Sequence, residues 1–278
     1  MTKLRAKTLR PTLTDAPASP TRAKKILPVL EATYQDARVT LDYKNPFQLL
    51  IATILAAQCT DERVNQVTKG LFRRYPTPKA FAEADPAELE QAIRPTGFYR
   101  NKAKSIIGCC KMLLDEHGGQ LPRTMEALIR LPGVWRKTAN IVLGNAFGLS
   151  EGIAVDTHVT RVANRLGLAQ SDKQDEIEQQ LCRVIPRDKW TLITHLLIFH
   201  GRTICKAQRP DCPRCQIRHL CPWPHKTVGS GATGHPKSAS WSNKDTGVSV
   251  PWQRMDSGIM LTTKLSFLLP RQALEARN

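Results

Sequence analysis

The sequence has no apolar run long enough to cross a bilayer, which takes about 20 residues. Its longest apolar stretch, Phe47 to Ala57, is interrupted by Gln48 and Thr53 and reads as a buried core helix. No apolar segment follows the basic residues near the N-terminus, so no secretory signal is expected, no membrane partner either, and the cytoplasm is the expected compartment. Few segments alternate apolar and polar residues with the period of two that a half-buried strand needs. Acidic residues are scarce, 24 Asp and Glu against 41 Lys and Arg, which leaves a net charge of +17.

What is present is helix after short helix. Pro76 to Pro78, Pro86, Pro95 to Gly97, Gly118 to Gly119, Pro132 to Gly133, Gly148, Gly167 and Pro186 divide the chain from about Lys24 to Trp223 into helix-sized lengths. Asp61–Arg74, Asn101–Leu114, Glu176–Val184 and Trp190–Phe199 carry apolar residues at helical spacing, with Thr60 and Asp61 suited to an N-cap. The expected class is all-α. Residues 1–21 have the composition of a disordered basic arm. From Lys226 the chain turns to Gly, Ser, Thr, Lys and Pro, a low-complexity tail over 226–278 in which Ile259–Leu269 is an isolated apolar stretch.

A basic excess this large favours a polyanionic partner, because each cation that neutralises a phosphate releases a condensed counterion. The excess is spread along the chain, through Arg73, Arg74, Arg100, Lys102, Lys104, Arg136 and Lys137, rather than confined to a tail.

Eight cysteines with no secretory signal do not read as a disulfide framework. Cys59, Cys109, Cys110 and Cys182 lie in helical segments as small hydrophobes. Cys205, Cys212, Cys215 and Cys221 are different. Separated by six, two and five residues, they form a closed set of four thiolate ligands, for which spacing alone leaves zinc and iron–sulfur both open.

Met125–Arg130 is helical in pattern, Leu131-Pro132-Gly133-Val134 breaks it, and a second helix begins at about Lys137. A helix start behind a tight glycine turn presents unpaired N–H groups and the positive end of a dipole, a grip for phosphate. The dipole and Arg136 both disfavour the ammonium form of Lys137, and partial burial would add to them, the conditions for an amine nucleophile. Asp156, after Ile153-Ala154-Val155, is placed to cap the next helix.

Leu131-Pro-Gly-Val-Trp-Arg-Lys137-Thr-Ala, Val155-Asp156-Thr-His158 and the four-cysteine spacing together resemble the iron–sulfur endonuclease III family of the helix–hairpin–helix DNA glycosylase superfamily, over residues 22–225. The resemblance implies a two-domain fold: a six-helix barrel domain with the helix–hairpin–helix over 39–150, and an iron–sulfur cluster domain over 22–38 and 151–225. It implies a [4Fe–4S] cluster on Cys205, Cys212, Cys215 and Cys221. It implies a nucleoid-associated, monomeric enzyme of base excision repair acting on double-stranded DNA with damaged bases or abasic sites. Lys137 is then the nucleophile and Asp156 the catalytic carboxylate. Oxidised pyrimidines are removed through a Schiff base and the strand is cut by β-elimination. DNA contacts fall to Gly133, Trp135, Arg136, Gln58 as an inserting residue, Phe98 as an apolar wedge and His158 at the opening.

The chain departs from the family at Trp135, where the hairpin has its second glycine, and carries one extra residue between Lys137 and Asp156, near Ser150–Gly152. An adenine glycosylase of the same superfamily is disfavoured because Phe47 to Ala57 contains no carboxylate, and a mismatch glycosylase because Lys137 stands where those have Tyr. A catalytically impaired DNA-binding paralogue and a zinc-binding transcription factor are the readings from other classes.

Overall fold

A computed structural model of the chain describes residues 18–228, so most of the expected arm and of the tail, with Ile259–Leu269, lies outside the described residues. Those described are helical and contain no strand: α1 (Pro20–Thr33), α2 (Pro46–Leu55), α3 (Asp61–Arg74), α4 (Pro78–Ala82), α5 (Pro86–Ile93), α6 (Tyr99–His117), α7 (Met125–Arg130), α8 (Arg136–Phe147), α9 (Thr157–Leu166), α10 (Gln174–Val184) and α11 (Trp190–Thr203). No described helix is long and apolar enough to cross a membrane.

Local chemistry sets these boundaries. Asn45, Thr60, Thr77, Asp85, Thr124 and Asp156 each stand one residue before a helix and accept a hydrogen bond from a main-chain N–H in its first turn. Proline follows directly at α2, α4 and α5, where its missing N–H is no loss. Ser19 caps α1 in the same way, so the chain is already helical at Pro20, inside the stretch expected as an arm.

The apolar faces close on two cores. One gathers α2 to α8 around Leu49, Leu50, Ile51, Leu55, Phe81, Leu89, Ile106, Leu113, Leu128 and Val142. The other gathers α1, α9, α10 and α11 around Ile26, Leu30, Val159, Leu166, Ile177, Leu181, Leu196 and Ile217. Phe47 to Ala57 is the central helix that its composition predicts, with Leu49 to Leu55 all buried. Polar bridges join the cores. Arg136 Nε and Asn140 Nδ2 of α8 donate to Glu178 of α10 at 2.8 and 3.0 Å, and His195 Nε2 of α11 lies 2.8 Å from Asn145 Oδ1 of α8. Cys109 and Cys110 are buried as expected, whereas Cys59 and Cys182 are only partly covered.

Candidate active site

The hairpin between α7 and α8 is tight because Val134 N donates back to Leu131 O at 3.0 Å, with Gly133 at φ +77°. Only glycine suits this position. A Cβ there would lie 2.7 Å from Ser105 Cβ, and the left-handed φ strains any other residue. Trp135, next before α8, is extended at φ −105° and 79% exposed, and it makes no side-chain cap. The backbone at 135 therefore needs no glycine; the indole occupies space in front of the helix without forcing a different turn. With no cap, the first N–H groups of α8 stay open to a ligand.

Lys137 is the second residue of α8 and is exposed, with no hydrogen bond or ion pair among the described residues. Burial therefore adds nothing to the effects of the dipole and Arg136 on this amine. Arg136 is exposed but held by the buried Glu178, so its guanidinium ties α8 to the second core.

Asp156 caps α9, its Oδ1 accepting from Val159 N at 2.7 Å, while Oδ2 makes no hydrogen bond among the described residues. The charges of both Asp156 and Lys137 act on the ring of His158. Burial pushes the His158 imidazole below its usual range. Asp156 opposes that shift, and Arg161, Arg202 and Lys137 add to it.

Gln58 and Phe98 stand on the first core, after α2 and just before α6. Both are exposed, Phe98 to 63%, so Phe98 is an aromatic outside the core. Both also have left-handed backbones, φ 54° and 48°, two of only three such non-glycine residues among those described. Left-handed backbone at such residues costs about 1–3 kcal/mol each and persists only where surrounding structure imposes it. The third is Arg209, exposed in the loop between Cys205 and Cys212.

The four C-terminal cysteines line one small pocket with Arg165, His200, Ile204 and Trp223, and none forms a disulfide. Among the described residues no group of three His, Cys, Asp or Glu side chains closes on one point as a single metal ion requires. Burial pushes the Cys215 thiol up to about 11 and raises Cys221 as well. Buried Arg165 grips this region. It donates to Cys205 Sγ at 3.4 Å and to the carbonyls of Lys206 and Ala207, and stacks over Trp223 at 4.1 Å. Arg161 donates to the Cys205 and Gly201 carbonyls and lies 3.1 Å from His158 Nδ1, joining the pocket to the Asp156 neighbourhood.

Glu178, Arg161 and Arg165 are absent from the sequence-based set. The arginines left one signal: both sit in the strongly amphipathic helix after Asp156, and Arg165 falls beside Leu166 on its buried side.

A family model described as HhH-GPD superfamily base excision DNA repair protein matches residues 51–187. The endonuclease III of Synechocystis sp. is 51% identical over 201 residues, covering 72% of this chain and 92% of its own. That of Bacillus subtilis is 47% identical over 189 residues, covering 68% and 86%. Among solved structures, a non-covalent endonuclease III–DNA complex matches with TM-score 0.70 and 47% identity, covering 73% of this chain and 95% of its own. A trapped covalent endonuclease III–DNA intermediate matches to the same extent. A thermostable thymine-DNA glycosylase, 22% identical with TM-score 0.65 and covering 73% and 96%, shares the fold.

Proposed function

The chain belongs to the endonuclease III family of helix–hairpin–helix base excision repair proteins, and on that premise we propose that it is a bifunctional DNA glycosylase and abasic-site lyase. The observation that carries this reading is an exposed Lys137 at the uncapped start of α8, directly behind the Gly133 turn.

Double-stranded DNA with a damaged base or an abasic site is the substrate, and the net charge of +17 favours it. The hairpin N–H groups hold a phosphate, and the damaged nucleotide is turned out of the stack. Gln58 and Phe98 fill the gap. Their exposed, conformationally constrained backbones support that role. Lys137 Nζ bonds to the sugar C1′ as the N-glycosidic bond breaks, its electron pair leaving with the base, which takes up a proton. The sugar ring opens to a protonated imine. Loss of a C2′ proton then expels the 3′ oxygen, and water frees the lysine. Asp156, anchored through Oδ1, keeps its other oxygen for the developing positive charge on the sugar and for the protons of the amine. Because the protein leaves Lys137 exposed, the docked duplex must supply the exclusion of water from the amine.

Oxidised pyrimidines are the proposed lesions. The described helices divide, on this reading, into a barrel domain over 39–150 and a cluster domain over 22–38 and 151–225. Cys205, Cys212, Cys215 and Cys221 would hold a [4Fe–4S] cluster, which supplies structural cross-linking of its loop. Four free thiols lining one pocket, with the Arg165 guanidinium donating to Cys205 Sγ, suit a negatively charged thiolate-held group. Purified protein without iron and acid-labile sulfide would contradict that assignment.

The functional reading is tested by incubating a panel of lesion duplexes with the protein. Strand cleavage ending in a β-elimination product is expected, with a loss of at least about 100-fold in Lys137→Ala. Base release without strand cleavage would make the protein a monofunctional glycosylase. Binding without either would make it the impaired paralogue.

A further inference from the structure

Lys102 belongs by sequence to the basic excess, yet it is only 5% exposed. No carboxylate meets it. Its ammonium donates at 2.8 Å to Leu55 O and at 2.8 Å to Thr96 O. Burial pushes that ammonium below the usual lysine range, while the neighbouring Cys59 thiol acts the other way. A buried, unpaired cation is unfavourable unless its donors are used, so the two carbonyls it finds explain why it is tolerated.

Those carbonyls have distinct origins. Leu55 ends α2, and the N–H that would otherwise reach its carbonyl, that of Cys59, turns instead to Ala56 O at 3.1 Å. The lysine therefore sits on a carbonyl freed at the negative end of α2, three residues before Gln58. Thr96 closes the short turn Arg94–Thr96, two residues before Phe98. The main chain of Lys102 completes the grip, its N–H donating to Phe98 O at 3.1 Å. One residue thus holds the roots of both exposed, left-handed residues, which belong to segments far apart in sequence.

We propose that Lys102 is a positioning residue for lesion extrusion: a buried strap that fixes the Gln58 and Phe98 loops relative to each other so that both enter the DNA stack together. The proposal rests on the reading of Gln58 and Phe98 as gap-filling groups, and it adds a residue that never touches DNA. Lysine suits the role because its long stem spans the two loops through apolar surroundings while its head supplies donors in several directions.

The test compares a duplex carrying a paired oxidised pyrimidine with a duplex carrying an abasic site in an unpaired bulge, where the stack is already open. The whole chain with its native metal content is used. In Lys102→Met, base release from the paired duplex is expected to fall about 10-fold or more while strand cleavage at the bulged abasic site stays within about two-fold. The fluorescence rise of a 2-aminopurine placed opposite the lesion is expected to shrink in parallel. Phe98→Ala, which slows release in the unaltered protein, should add little in the Lys102→Met background. Should Lys102→Met fail to fold, Lys102→Gln, which keeps a shorter donor, takes its place with a smaller loss on the paired duplex alone. Equal losses on both substrates would reduce the lysine to a structural prop and overturn the proposal, and so would no loss on either. If the unaltered protein cleaves neither substrate, the functional reading itself fails and this proposal falls with it.

Discussion

At residue 135 an indole stands in front of α8 where the family pattern carries glycine, and the structure separates two consequences of that exchange. Its φ of −105° shows that the backbone is comfortable with a side chain. The change therefore bears on access to the helix start and leaves the turn intact. Trp135→Gly is expected to tighten DNA binding several-fold, because the phosphate reaches the open N–H groups, with stability altered by less than about 1 kcal/mol since glycine is an acceptable N-cap. Equilibrium titration of a lesion duplex alongside thermal melting checks both halves. Weaker affinity would show that the indole is itself a DNA contact, and unchanged affinity that it does not obstruct the helix start. Individual residues were unevenly legible in the sequence. Asp156 was readable as a cap because its partner, Val159, is three residues away. The burial of Lys102 and the engagement of Arg136 were not, because Leu55 and Glu178, which they reach, lie 47 and 42 residues distant. A sequence shows a charge; only the fold shows what faces it.

Helices and turns were read more reliably, for a physical reason. Asp61–Arg74 and Met125–Arg130 fall where the pattern places them because both ends are written locally, in a threonine cap at the start and basic residues in the last turn. The helix expected at Asn101 instead begins at Tyr99, since Phe98 enters it from a left-handed backbone with no polar cap to mark the start. The hairpin is the element on which the site depends. Gly133→Ala places a methyl against Ser105 and strains φ, so a destabilisation of about 1–3 kcal/mol and weaker DNA binding are expected. Chemical denaturation and duplex titration measure the two effects. An alanine variant that keeps full stability and full affinity would mean that the turn relaxes freely and is not the phosphate grip.

At the scale of the whole molecule, two cores are held together by a few buried polar groups, and these give the protein a pH dependence. His195 of α11 bonds to Asn145 of α8, and burial pushes its imidazole down to about 4. A histidine of ordinary pKa near 6.5 when unfolded and about 4 when folded favours the native state only while neutral. Its contribution is complete above pH 6.5, declines as pH falls, and is lost once pH passes below about 4. The loss is at most about 3 kcal/mol. Melting temperatures between pH 7 and 4 should fall less steeply in His195→Gln than in the unaltered protein; parallel curves would remove His195 from the account. The all-α class was accessible from the helical spacing of apolar residues and the Pro and Gly punctuation. The bridge from α8 to α10 through Glu178 was not, because nothing local marks a buried glutamate as the anchor of a distant arginine.

The central claim is that the amine of Lys137 becomes covalently joined to the sugar. Borohydride reduction during turnover, followed by peptide mapping of the cross-linked protein, tests it most directly. The account predicts one protein–DNA adduct, mapped to Lys137 and absent from Lys137→Ala; an adduct at another residue, or strand cleavage with no trappable adduct, would contradict it.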